Sequence, residues 1–424
     1  MNKAELEAQF KAGALDARLI SIYGEDALDE QKARFLNLVS RFEKETDKSD
    51  FSIFSTAGRT ELMGNHTDHN HGCVLCGSVQ LDTLACAYKR DDTIIEILSE
   101  GYPQAIIDIS ELEKHPEEKE TTEALIRGIA ARFKQLGYKI GGYTAVTTSN
   151  VPGGSGLSSS AAVEVLIGTI LSCFYNEGKI SPVELAQIGQ WAENNYFEKP
   201  CGLMDQIACG YGGIVKIDFN NPANPKIENV KFDFHKAGYT LMVVNTGGSH
   251  ADLTSEYAAV PKEMKSVANL LGEIVLRNIT KELLCSKTNE IRQKCGDRAF
   301  LRALHFINEN HRPELAVNAL KKNDIESYLK LVEESGQSSW CYLQNCTSIK
   351  DVEHQGVTMA LALSKEIVGK DGTFRVHGGG FAGTIQAYVP THKATTYKNE
   401  MEKYFGKGAV TTLLIRQEPT TQLI

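Results

Sequence analysis

The sequence predicts a two-domain protein of the α/β (α+β) class, in which helices and strands are mixed, and three observations support this. The chain has 424 residues, and single hydrophobic cores stop growing beyond about 250–300 residues. Apolar residues recur at helical spacing in some segments, while short β-prone segments lie between others. A turn-rich stretch at residues 218–225 divides the chain. We place the boundary shortly after it, which gives an N-terminal domain of residues 1–232 and a C-terminal domain of residues 233–424.

The N-terminal half begins with predicted helices. Its first fifty residues carry apolar side chains at helical spacing among charged ones. The predicted elements that follow are a strand at 51–56, a strand–loop–strand unit at 72–88, an amphipathic helix at 121–136 and a strand at 143–148.

A further helix is predicted to start at Ser181, because Ser181, Pro182 and Glu184 supply a cap, a first-turn proline and a capping box. In the C-terminal half, two strands near the end flank a glycine cluster. The other elements predicted there are a strand at 239–245 and helices around 262–275, 296–310, 313–335 and 353–369.

The composition is that of an ordinary soluble globular protein, with 42% hydrophobic and 23% charged residues. The net charge of −9 disfavours a nucleic-acid-binding protein, which usually has a basic excess. No stretch approaches the roughly 20 apolar residues that span a membrane, and the mixed-charge N-terminus does not resemble a signal peptide. We therefore expect a cytoplasmic protein, a monomer or weak dimer, whose ten cysteines are free thiols.

A glycine- and serine-rich loop runs from Val151 into an apolar, helix-forming segment. Glycines allow close approach of a ligand to the backbone, and the N–H groups at a helix start form an anion site. The loop lacks the lysine of a Walker motif, the third glycine of a dinucleotide fingerprint and the last glycine of a nucleophile elbow. An ordinary turn before a helix is the alternative, but the composition favours a polyphosphate site.

The segment at residues 57–72 is unusually polar for a loop between two apolar strands. Its carboxylates, amides and imidazoles suit a polyol such as a sugar, which offers many donors and acceptors. A metal site is the rival interpretation, because His66, Asp68, His69 and His71 are suitable ligand types. A solvated loop without a ligand is the third interpretation of this segment.

Two acidic residues are candidates for phosphoryl-transfer chemistry. Glu193 lies near the end of a predicted helix, and Asp205 follows a glycine-containing loop. Phosphoryl transfer needs a magnesium ligand and a group that orients or deprotonates the acceptor hydroxyl, so one carboxylate suits each task. The glycine cluster at residues 378–383 formally matches a dinucleotide motif, but a β-like segment follows it. A tight turn that approaches the active site is the better interpretation.

Taken together, these motifs resemble the galactokinase family, within the superfamily of galactose, homoserine, mevalonate and phosphomevalonate kinases. The resemblance covers nearly the whole chain from about Phe51. It rests on four motifs, Gly-Arg…Gly-x-His-Thr-Asp, Gly-Leu-Ser-Ser-Ser-Ala-Ala, Cys-Gly-Leu-Met-Asp-Gln and Gly-Gly-Gly-Phe-Ala-Gly. It implies a ribosomal-S5-like N-terminal domain and a ferredoxin-like C-terminal domain, with the active site between them.

The resemblance also implies an activity, which is transfer of the γ-phosphoryl group of ATP to the anomeric hydroxyl of galactose with Mg²⁺. Asp205 would act as the base beside the sugar, and Arg59 would lie near both Asp205 and the phosphoryl group. Ser160 and Glu193 would hold magnesium. The sugar contacts would be Asn65, His66, Asp68, Gly202 and Tyr257. The phosphate contacts would be Gly153, Gly154, Ser155, Gly156, Leu157, Ser158, Ser159 and Ser160.

Several sugar-facing positions depart from the family pattern. Asn65 stands where glutamate is usual, near the expected sugar 6-hydroxyl, and Glu61 stands where asparagine is usual. An uncharged amide could accept another C6 substituent, so a galacturonate- or N-acetylgalactosamine-like sugar is the first alternative. A catalytically silent sensor of galactose and ATP is the second. A metallohydrolase built on the histidine cluster is the third.

Overall fold

The computed structural model describes residues 1–153, 156–199, 201–248 and 253–424. Its first sheet has eight strands, and their central order is β12-β1-β2-β5-β3-β4, with β6 on β2 and β7 on β6. The strands are β1 (Ser52–Met63), β2 (Cys73–Lys89), β3 (Ile94–Ser99), β4 (Ala105–Asp108), β5 (Tyr143–Ser149), β6 (Ile214–Asp218), β7 (Lys226–Val230) and β12 (Thr421–Gln422).

Two predictions for this sheet were wrong. Residues 57–63, predicted as loop, continue strand β1, and residues 73–89 form one strand rather than two. The side chains of Arg59, Thr60 and Glu61 in β1 are buried. The strand persists because these three find partners inside the protein. The long β2 pairs with β5 through its second part and with β6 through its first part.

Helices cover both faces of this sheet because its side chains alternate in direction. Phe54 joins the core beneath helices 122–135 and 159–175, whereas its neighbour Ile53 packs against the N-terminal helices. The predicted cap of Ser181 is confirmed, since its side chain accepts from the Glu184 N–H. The helices are α1 (Lys3–Lys11), α2 (Asp16–Tyr23), α3 (Leu28–Thr46), α4 (Thr122–Gln135), α5 (Ser159–Tyr175), α6 (Pro182–Ala192) and α7 (Met204–Tyr211).

The second sheet has four antiparallel strands in the order β11-β8-β10-β9. The predicted strand at 239–245 is confirmed, as are the two strands around the glycine cluster. The strands are β8 (Tyr239–Asn245), β9 (Thr373–His377), β10 (Thr384–Pro390) and β11 (Val410–Leu413).

The helices of the second half correct two further predictions. The segment at 313–335 is two helices, because residues 322–324 interrupt it and Asn323 has a positive φ of 55°. The helix expected at 262 begins at Thr254 and runs through Pro261, since its buried face outweighs the missing N–H. The helices are α8 (Thr254–Leu270), α9 (Lys281–Ser286), α10 (Thr288–Lys294), α11 (Asp297–Glu309), α12 (Arg312–Lys321), α13 (Ile325–Ser338), α14 (Gly356–Val368) and α15 (Ala394–Phe405).

The end of the chain returns to the first sheet. Strand β12 pairs with β1, and Val79 forms a bridge with Ile415. Arg416 is fully buried and donates to the side-chain and backbone oxygens of Ser55 at 2.6 and 3.4 Å. The two sheets also share a hydrophobic core. A division between residues 232 and 233 therefore separates the two sheets except for the terminal segment. We keep this domain boundary as a proposal and assign the terminal segment to the N-terminal domain.

The ten cysteines are free, as predicted. Within the described ranges, the helices are all too short or too polar to span a lipid bilayer.

Candidate active site

A cavity beside the start of α7 brings together predicted residues from four separate segments. Asp68 enters from the segment between β1 and β2, and Ser160 enters from the first turn of α5. Glu193 directly follows α6, and Gly202 and Asp205 come from the segment around the start of α7. The described lining is completed by Ala161, Lys199, Cys201, Met204 and Gln206. The predicted magnesium, phosphate and sugar positions therefore border one space.

Arg59 and Asp205 form a two-pronged ion pair at this cavity. Arg59 Nε lies 2.7 Å from Asp205 Oδ1, and Nη2 lies 2.6 Å from Oδ2. The Arg59 side chain is 7% exposed, whereas that of Asp205 is 34% exposed. The guanidinium is therefore held inside the protein, while the carboxylate reaches the space that a substrate would occupy.

This pairing decides the charge of Asp205. Burial alone would raise the pKa of the carboxyl group, but the Arg59 guanidinium and the Ser158 hydroxyl bring it below its ordinary value. Asp205 is consequently ionised at neutral pH. An ionised carboxylate is an acceptor and a weak base, so it is suited to orienting a hydroxyl group.

The glycine- and serine-rich loop is fastened to the same pair. The Arg59 N–H donates to the Leu157 carbonyl at 3.0 Å, and the Arg59 side chain donates to the Gly156 carbonyl. Ser158 has a left-handed φ of 59° and donates its hydroxyl to Asp205. It does not cap α5 with its side chain, which leaves the N–H groups of the first turn available to an anion. Gly154 and Ser155 lie outside the described residues.

Gly202 and Asp68 meet at the side of the cavity predicted to hold the sugar. A Cβ atom added to Gly202 would lie 2.1 Å from Asp68 Oδ2, so only glycine fits there without moving the carboxylate. Burial raises the pKa of Asp68, and the nearby Asp205 adds to this, while His66 opposes it.

The other predicted sugar residues contact the turn between β9 and β10. His66 Nε2 lies 2.8 Å from the Gly379 carbonyl, and the Tyr257 hydroxyl donates to the Gly380 carbonyl at 2.8 Å. Asn65 is fully buried and donates to the Gly378 carbonyl at 2.7 Å. The glycine-rich turn therefore contacts three of the predicted sugar residues, and its approach to the active site stays a prediction. His66, Asn65 and Tyr257 do not line the cavity described above.

A buried carboxylate that sequence reasoning missed lies behind Glu193. Glu164 is 0% exposed on α5, and Gln206 Nε2 donates to Glu164 Oε2 and Glu193 Oε2, at 3.0 Å each. Burial and the neighbouring Glu193 raise the pKa of Glu164 to about 8, and burial also raises the pKa of Glu193. A lone acidic residue within the apolar run 161–171 was the signal that could have identified it.

Glu164→Gln is expected to flatten the pH dependence of stability. An unfolded glutamate ionises near about pH 4.3, whereas folded Glu164 keeps its proton to about pH 8. In this window the folded state binds more protons, so stability falls as pH rises. Glutamine cannot ionise, so the Tm of Glu164→Gln relative to the wild type should be higher at about pH 8 than at about pH 5. Glu30→Gln on the exposed surface of α3 is the control, and an equal gain at both pH values would contradict the assignment.

The metal interpretation of the histidine cluster finds no support. Among the described residues, which include 66–71, no group of three or more His, Cys, Asp or Glu side chains could hold an ion. Burial lowers the pKa of His69 to about 3, so this ring is neutral. His66 is engaged with the Gly379 carbonyl. The His66 and His69 rings lie 5.9 Å apart, and His69 Nδ1 lies 2.9 Å from Asn70 Nδ2.

The fold and the site together define a class of phosphotransferase. Residues 124–213 match the family model described as the N-terminal domain of GHMP kinases, and residues 40–89 match the galactokinase galactose-binding signature. A galactokinase of Glaesserella parasuis is 31% identical over 82% of this chain and 88% of its own length. The chain therefore belongs to the galactokinase family. A galactokinase of Clostridium tetani is 28% identical over 84% of this chain and 88% of its own length.

Solved structures agree with this fold. A Lactococcus lactis galactokinase complexed with galactose superimposes with a TM-score of 0.78 at 23% identity, covering 91% of this chain and 99% of that one. A Methanococcus jannaschii mevalonate kinase gives a TM-score of 0.60 at 15% identity, covering 86% of this chain and 98% of that one. The predicted fold class is confirmed.

Proposed function

We propose that this protein is an ATP-dependent galactose 1-kinase. It transfers the γ-phosphoryl group of ATP to the anomeric hydroxyl of galactose and releases galactose 1-phosphate and ADP. The observation that carries the proposal is the Arg59–Asp205 pair, which is bonded to the glycine- and serine-rich loop. Asp205 borders a cavity that Ser160, Asp68 and Gly202 also line.

In this mechanism Asp205 accepts a hydrogen bond from the anomeric hydroxyl of the sugar. This bond orients the hydroxyl oxygen towards the γ-phosphorus of ATP. The new P–O bond forms while the bond to the β–γ bridging oxygen breaks, and ADP leaves. As the new bond draws electrons from the hydroxyl oxygen, the hydroxyl becomes more acidic, so its proton passes to Asp205 and is then released to solvent. Arg59 keeps Asp205 ionised and places positive charge beside the transferring group, where charge develops in the transition state.

The residues present fit a magnesium ion that is also bound by phosphate oxygens. Ser160 and Glu193 line the cavity, and Gln206 Oε1 is buried without a described partner. Mg²⁺ usually takes one or two carboxylates from the protein and keeps several waters or phosphate oxygens. When bound, it neutralises phosphate charge. Glu193 and Ser160 would hold it, with Gln206 orienting Glu193 through its 3.0 Å hydrogen bond.

The proposal is tested by measuring ADP release with galactose, galacturonate and N-acetylgalactosamine, followed by phosphorus NMR of the products. We expect turnover with galactose and a phosphate on the anomeric oxygen. A clear preference for one of the other sugars would identify that sugar as the substrate of the same phosphoryl-transfer reaction. Binding of galactose and ATP without ADP release would identify a sensor and overturn the kinase.

A further inference from the structure

The side chain of Asn65 is saturated by bonds within the protein. It is fully buried, with 0% of its surface exposed. Its Nδ2 group donates to the Gly378 carbonyl at 2.7 Å and to Glu61 Oε1 at 3.0 Å. Its Oδ1 atom accepts from Asn345 Nδ2 at 2.8 Å and from Ser339 Oγ at 3.3 Å. An amide has two donor hydrogens and two acceptor lone pairs, so no hydrogen-bonding capacity is left for a ligand.

The backbone of Asn65 is held in the same way. Its carbonyl oxygen lies 2.8 Å from His305 Nε2, and its N–H donates to Glu309 Oε1 at 3.4 Å. Both partners are fully buried on α11. All of these side-chain and backbone partners except Glu61 belong to the second half of the chain. Asn65 is thus one of the points where the loop carrying His66 and Asp68 is joined to the second half, and both its side chain and its backbone take part.

Glu61 explains why an amide is required at this position. The Glu61 carboxylate is paired with Arg375, whose Nη2 lies 2.6 Å from Oε1, and both side chains are buried. A carboxylate at position 65 would put a second negative charge beside Glu61, and it would have no hydrogen to donate to the Gly378 carbonyl. Unpaired buried charge is strongly destabilising. Only a group that donates on one side and accepts on the other satisfies both sets of partners.

We propose that Asn65 is a positioning residue that joins the sugar-site loop to the second half of the chain, and that it does not contact the sugar. The inference rests on the proposed function. It assigns recognition of the C6 substituent to groups other than Asn65, so selectivity at C6 is independent of this residue.

The test compares galactose with 6-deoxygalactose, which lacks the 6-hydroxyl group. Asn65→Ala should lower kcat/KM for both sugars by about 10-fold or more, because a small displacement of substrate-positioning groups can cost about 100-fold. The ratio of the two kcat/KM values should stay at its wild-type value. If Asn65 bound the 6-hydroxyl, the variant would lose activity mainly with galactose and the ratio would fall towards one, which would overturn the proposal.

Asn345→Ala is the matched variant, because it removes a partner of Asn65 and lies outside the described lining of the cavity. It should also lower both kcat/KM values without changing their ratio, and it keeps the test decisive if Asn65→Ala does not fold. A changed ratio in this variant would count against the proposal.

Thermal unfolding gives a readout that needs no substrate. Both variants remove the Asn345–Asn65 bond, while Asn345→Ala also removes a bond to the Gly379 carbonyl at 3.1 Å. The Asn65→Ala and Asn345→Ala double variant should therefore lose clearly less Tm than the sum of the two single losses. Additive losses of Tm would overturn the proposal that Asn65 joins the two parts of the chain through Asn345. If the wild-type protein phosphorylates neither sugar, the proposed function has failed, and the unfolding data still decide the role of Asn65.

Discussion

Asp205→Asn is expected to lower kcat by about 10²–10⁴-fold, the range typical of lost acid–base catalysis. Asparagine cannot take the hydroxyl proton and carries no charge to orient the hydroxyl group. The glycine- and serine-rich loop should still bind ATP, because the bonds from Arg59 to its backbone carbonyls do not involve Asp205. Steady-state ADP release measures kcat, and calorimetry measures ATP binding.

Asp218→Asn is the matched control for this change. Asp218 is also paired with an arginine, at 2.9 Å from Arg277, and its side chain is 24% exposed, but it lies outside the described lining of the cavity. Its variant should retain kcat within a small factor. Unchanged turnover in Asp205→Asn, or an equal loss in both variants, would remove Asp205 from its proposed role.

Arg59→Met should lower kcat by about 10²–10³-fold, the effect of removing one preorganised group that stabilises transition-state charge. It should also shift the acid limb of the pH–rate profile. In the wild type, burial raises the pKa of Asp205 but Arg59 outweighs it, so Asp205 stays ionised well into the acidic range. Without the guanidinium, burial raises this pKa, and activity falls at a higher pH than before.

The measurement is kcat as a function of pH for the wild type, Arg59→Met and Arg59→Lys. Lysine keeps the positive charge but lacks the two-pronged guanidinium that reaches both oxygens of Asp205. Compared with Arg59→Met, Arg59→Lys should therefore move the acid limb partly back towards its wild-type position, and it should recover a smaller part of kcat. Arg90→Met, which breaks a 2.6 Å pair with Asp92 outside the described lining of the cavity, is the control. An acid limb that does not move in Arg59→Met would show that Arg59 does not set the charge of Asp205.

Local patterns predicted the elements whose environment is simple. The strand at 239–245 follows from a short apolar run and the helix start at Ser181 follows from capping, and both signals depend on near neighbours. Residues 57–63 were predicted wrongly because their polar side chains find partners far along the chain. Arg59 contacts Asp205, and Glu61 contacts Arg375. Such pairings stabilise a buried polar strand but leave no periodic pattern in the sequence.

The candidate site shows the same division. Glu193 and Asp205 could be proposed because phosphoryl transfer restricts which residue types can serve, and Arg59 came from the resemblance to the galactokinase family. The bond from Ser158 to Asp205 and the buried acid Glu164 depend on how α5, α6 and α7 pack together. The saturation of Asn65 could not be predicted either, since its partners are separated from it by up to 313 positions.

The return of the last ten residues to the first sheet has a consequence for synthesis of the protein. Strand β1 is made well before its neighbour β12 and the buried Arg416, which lies 361 positions after its partner Ser55. Until then one edge of β1 lacks this partner, and exposed strand edges favour association between chains. Strand β1 is therefore made early but completed by a late segment, so a deletion of residues 415–424 acts on the folding of the first sheet.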